Sequence, residues 1–70
     1  MSQYALTVPA SIADLAYDAT VENVDAIVDD ILEEGNQVTI VLTCNLDPEQ
    51  IAIELFQYIS PDFTIIESVY

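Results

Sequence analysis

Residues 21–35 read VENVDAIVDDILEEG, and the interpretation of the whole chain turns on that stretch. Val21, Val24, Ile27, Val28, Ile31 and Leu32 recur at helical spacing. Thr20 stands where an N-cap would stand, and Gly35 where a helix takes its C′ residue. The pattern predicts an amphipathic helix over 21–34. Upstream, Tyr4, Leu6 and Val8 alternate along 3–8, which suits a strand ended by Pro9. Residues 11–19 have no decisive period, although Ser11 and Asp14 are spaced to open a helical turn. Downstream, Val38, Ile40, Leu42 and Cys44 alternate with Gln37, Thr39, Val41 and Thr43, a β-branched strand pattern. Asp47-Pro48-Glu49-Gln50 then combines an N-cap, Pro at N1, an acid in the first turn and Gln at N3. The helix it opens is expected to reach about Ile59, burying Ile51, Leu55 and Ile59 before Ser60-Pro61 stops it. Residues 63–69 close the chain as a strand. The expected fold is α+β: a small single domain over 1–70, about three strands in one sheet, and two main helices packed on one face. Thr39, Thr43, Thr64 and Ser68 would form an outer sheet face polar enough for water.

The chain has 70 residues, thirteen Asp plus Glu, and no Lys, Arg or His, for a formal net charge of −13. Average usage would give a chain this long roughly eight or nine Lys and Arg. High charge alone would suggest disorder, but 53% of the residues are apolar and the mean hydropathy is +0.40. Nine isoleucines can fill a small core, so a folded, like-charged particle of marginal stability is expected.

That balance excludes several functions. Direct nucleic-acid binding needs cations against phosphates, and anionic membranes would repel the chain. Without histidine there is no Ser-His-Asp or Cys-His pair. One glycine cannot build a phosphate loop, and Cys44 alone cannot build an iron–sulfur or zinc-cysteine site. EF-hand spacing is absent, as is the Asp-Ser-Leu attachment motif of the likewise acidic acyl carrier proteins. No enzyme activity, cofactor or metal is expected. The apolar runs are shorter than a membrane span and no basic N-terminal stretch precedes them, which suggests a cytoplasmic protein.

What remains is the pattern of acids. On a helix over 21–34, Glu22, Asp25, Asp29, Asp30, Glu33 and Glu34 would oppose the apolar stripe, and Asp14 and Asp18 would extend the patch. Six charges over roughly 18 Å of helix is about one per 3 Å, near the phosphate spacing along one DNA strand. Most acidic helix faces are simply solvated. This one would carry like charges at i,i+4 (Asp25–Asp29, Asp29–Glu33, Asp30–Glu34) and two acids at its negative C-terminal end, which argues for a binding role.

In size, in lack of basic residues and in its acid face, the chain resembles the small phage-type inhibitors called DNA mimics. These include anti-CRISPR proteins, anti-restriction proteins and uracil-DNA glycosylase inhibitors. The resemblance implies a non-enzymatic partner for a cationic nucleic-acid-binding protein or CRISPR effector complex, anti-CRISPR first among them. It would act as a monomer or homodimer, in the host cell cytoplasm if phage-encoded. The alternatives are an acidic subunit or antitoxin-like partner of a basic protein, or a halophilic acidic domain. Cys44 reads as a small core residue. Tyr4, Tyr17, Tyr58 and Tyr70 read as packing residues, any exposed one being free to stack on a partner's arginine. Glu67 interrupts the alternation of Phe63, Ile65 and Val69, which marks either a sheet edge or a slip in register.

Overall fold

The computed structural model describes residues 2–59 and 63–67. Strand β1 (Ser2–Pro9) leads through a 3₁₀ turn at Ala10–Ile12 into helix α1 (Ala13–Glu22). A hairpin of β2 (Ile27–Glu34) and β3 (Gln37–Cys44) follows, then α2 (Pro48–Phe56) and β4 (Thr64–Glu67). All strand pairings are antiparallel, in the order β2-β3-β1-β4. With β3 seated between β1 and β2, and β1 between β3 and β4, the chain forms two interlocked split β-α-β units. That is the ferredoxin-like arrangement, which hosts many functions and identifies none.

The α+β class follows the sequence, but the sheet has four strands rather than three. The difference lies entirely in 21–34. The helix expected there is replaced by the end of α1 and by β2. Thr20 is not an N-cap: it lies inside α1, buried, its hydroxyl donating to the Ala16 carbonyl one turn back at 2.7 Å. Gly35 is not a helix C′ residue either. With Asn36 it forms the two-residue loop of the β2–β3 hairpin, Glu34 pairing with Gln37 on either side. Its φ of 59° suits the positive value that a type II′ hairpin turn places first.

A bulge explains the misleading period. The β2–β3 register shifts between Val28 and Asp30, so Asp29 is an extra residue in the strand. Pairing with Leu42 and Ile40 places Val28 and Ile31 on the helix-covered face. Ile27 and Leu32, opposite Thr43 and Thr39, take the other face. Two apolar pairs four residues apart result, which is also what a helix stripe produces.

The core lies between the sheet and the two helices. Tyr4, Leu6 and Val8 of β1 and Val38, Ile40, Leu42 and Cys44 of β3 meet Ile51 and Leu55 of α2 and Ala16 and Ala19 of α1. Cys44 is buried and free, as its place in the alternation implies. Asp47 is the N-cap of α2 and Pro48 opens it, but Asp47 makes no side-chain capping bond. The helix ends at Phe56 rather than Ile59, although Ile59 still donates to the Leu55 carbonyl and is buried. Phe56 packs on Phe63 with centroids 5.3 Å apart, anchoring the approach to β4. Glu67 lies on an edge strand, one of the two readings its position allowed. Residues 68–70, and with them Ser68, Val69 and Tyr70, fall outside the described residues.

The uncovered sheet face is more apolar than expected. Thr39, Thr43 and Thr64 do lie on it, with Thr7 and Thr39 paired through their hydroxyls at 3.0 Å. Ile27, Leu32, Val41 and Ile66 share it. Among the described residues, no helix is long and apolar enough to cross a membrane.

The hairpin generates a test. A Cβ at Gly35 would meet no atom within 4 Å, so replacement costs only the left-handed backbone. Gly35→Ala is expected to lower unfolding stability by about 1 kcal/mol, and Gly35→Asn by less, because Asn tolerates positive φ. Chemical denaturation measures both; equal stability of all three proteins would contradict the assigned turn.

Candidate acidic interface

The eight acids read as a binding surface are all exposed, but one helix does not carry them. Asp14, Asp18 and Glu22 stand at i, i+4 and i+8 on α1, opposite its buried Ala16, Ala19 and Thr20. Asp25 lies in the α1–β2 connection with φ 56°, a left-handed conformation that aspartate tolerates better than most side chains. Asp29, Asp30, Glu33 and Glu34 lie on β2. The expected i,i+4 repulsions among 25, 29, 30, 33 and 34 therefore do not exist, and Glu33 and Glu34 face no helix dipole.

Charge density changes accordingly. Acids one turn apart on α1 are separated by about 6 Å along the axis, and Asp30 and Glu34, which share a face of β2, by about 13 Å. Both spacings exceed the phosphate spacing along one DNA strand, the first nearly twofold.

Two elements now share the surface. β2 is an edge strand, and acids there repel a second edge that would otherwise extend the sheet. Its bulge gives two of them local work. Asp29 Oδ2 accepts from the Thr43 hydroxyl at 2.5 Å and from the Gln3 side-chain amide at 3.1 Å, tying β2 to β3 and β1. Asp30 Oδ1 accepts from the Ile31 amide at 2.8 Å. Among the described residues, Asp14, Asp18, Glu22, Asp25, Glu33 and Glu34 make no side-chain hydrogen bond, and the chain has no basic side chain to offer them.

Tyr17 and Tyr58 are exposed beside these acids, as is Leu15 at 57%. The period of 11–19 did not disclose this, because α1 buries alanines and a threonine rather than a large aliphatic stripe. Tyr4, by contrast, packs as read, its hydroxyl donating to the Leu46 carbonyl at 2.9 Å. Among the described residues, no three Asp, Glu or Cys side chains converge as a metal site.

No family model, curated protein or solved structure matches the chain.

Asp29 supplies a pH signature. The Thr43 hydroxyl and then the Gln3 amide hold its carboxyl below the ordinary aspartate value of 3.8. A lowered folded value contributes stability that is present above the unfolded pKa and lost as pH falls through the folded one. Thr43→Val removes the larger cause, so the Asp29 carboxyl, followed by NMR, should titrate at higher pH than in the parent. An unchanged midpoint would mean that the bond is not formed in solution.

Proposed function

We propose that the chain is a non-enzymatic inhibitor that presents an acidic surface to the cationic nucleic-acid channel of a host or defence complex. An anti-CRISPR protein of the DNA-mimic kind is the reading adopted. One observation carries it: exposed carboxylates on α1, the following connection and β2, in a chain without a single basic side chain. Charges with no counterpart inside the molecule are available to a counterpart outside it. Arginine and lysine that normally hold phosphates would pair with Asp14, Asp18, Glu22, Asp25, Asp29, Asp30, Glu33 and Glu34, arginine bidentately. Long-range attraction would speed encounter and disfavour partners that are not cationic. No covalent step is required.

A second reading, an acidic subunit or antitoxin-like partner of a basic protein, is favoured by the uncovered sheet face. Ile27 and Ile66, 59% and 60% exposed, would suit a permanent protein interface there. The halophilic reading needs no partner and predicts unfolding at low salt.

The readings separate on competition. A target captured from native host lysate at low salt and then purified should release the chain when its own nucleic acid is added. Its affinity should also fall steeply as salt rises and surface attraction is screened beyond about 8–10 Å. A complex that forms equally well on the nucleic-acid-loaded target would contradict the mimic mechanism.

A further inference from the structure

We infer that α1 is a docking ridge for arginine side chains of a protein partner, received in the two grooves that flank it. The inference rests on the acidic-interface reading and adds which acids engage, and what chemistry they engage. One groove, of about 260 Å³, lies between α1 and the sheet. Ile31, Val38 and Ile40 give it an aliphatic lining, with Asp14, Glu33 and Tyr17 beside them. The other, of about 240 Å³, runs along the opposite flank of α1 toward the end of α2. There Leu15 and Ala19 supply the apolar lining, with Asp18, Glu22 and Tyr58 beside them. The two grooves share no residue, yet each combines two carboxylates, one tyrosine and aliphatic surface.

That combination fits arginine part by part. Its methylene stem lies on apolar surface, its planar guanidinium stacks on an aromatic ring, and its donors fork onto a carboxylate. Lysine offers the charge without the plane or the fork. A face kept only for solubility has no use for exposed Leu15, Tyr17 and Tyr58 among its acids. A second copy of the chain is excluded as the occupant because it has no arginine to insert. Nucleic acid is excluded by charge. A helix with side chains is about 10–12 Å across, so the partner presents arginines at roughly that separation, one on each side of α1. Asp25, Asp29, Asp30 and Glu34 line neither groove and serve long-range attraction.

The test uses the full chain, with a short oligoarginine and an oligolysine of equal length as probes, by calorimetry and amide NMR at about 0.15 M salt. Oligoarginine is expected to bind about fivefold more tightly than oligolysine, with the largest shifts around Tyr17 and Tyr58. Asp14→Asn with Glu33→Gln, and separately Asp18→Asn with Glu22→Gln, should each weaken oligoarginine about tenfold. Glu49→Gln with Glu67→Gln removes the same charge outside both grooves and should cost less than about twofold. The arginine–lysine comparison needs no variant, so it stands even where a substitution disturbs folding. Equal affinity for the two peptides, or equal losses in all three double variants, would overturn the docking ridge while leaving a diffuse acidic surface intact. Failure of both peptides to bind at about 0.02 M salt would remove the acidic-interface reading as well.

Discussion

No carboxylate in this chain can be neutralised by another of its side chains. That constraint shapes the rest of the structure. A buried charge is tolerable only when paired, so the acids must reach water or a neutral donor. The fold obeys. The core is aliphatic apart from the inward Tyr4 and Cys44, and Thr20, the one buried polar residue among the described residues, is satisfied by the Ala16 carbonyl. The acids whose carboxylates accept hydrogen bonds use neutral donors: the Thr43 and Gln3 side chains for Asp29, the Ile31 backbone amide for Asp30. The remaining acids among the described residues stand at the surface, where their charge opposes compactness in a domain with little stability to spare.

The sheet edge shows how the acids serve the fold, and the proposed function would use the same residues for binding. β2 must present unpaired backbone groups, and acids along it discourage a second chain from adding there. The Asp29 bulge bends the ladder and turns a carboxylate back over Thr43 and Gln3, while Glu33 lines the groove beside α1. An edge guarded by acids against other strands is, by the same charge, open to a cationic surface.

Legibility in the sequence followed the strength of the local signal. β1 and β3 alternate without interruption, and both are found nearly residue for residue. Asp47-Pro48 fixed the start of α2 because proline admits few alternatives at N1. The stretch 21–34 failed for a physical reason: a bulge and an uncovered apolar face give a strand the spacing of a helix. One signal pointed the other way. Glu34-Gly35-Asn36-Gln37 is also a two-residue hairpin sequence, and Ile27, Val28 and Ile31 are β-branched. The exposure of the eight acids was legible from charge alone, since the chain has no cationic side chain to pair with them. Their division between α1, a connection and β2, and the grooves with Tyr17 and Tyr58, depend on tertiary packing that periodicity does not encode.

If the surface charge has no cationic counterpart within the fold, salt should help the free protein by screening repulsion. Urea unfolding at several sodium chloride concentrations, from about 0.02 to 0.5 M, measures this directly, because the Debye length shrinks severalfold over that range. The account predicts stability that rises steadily with salt, in a protein already folded at the lowest concentration. Stability that stays flat or falls with salt would contradict the claim that the carboxylates repel one another uncompensated on the folded surface.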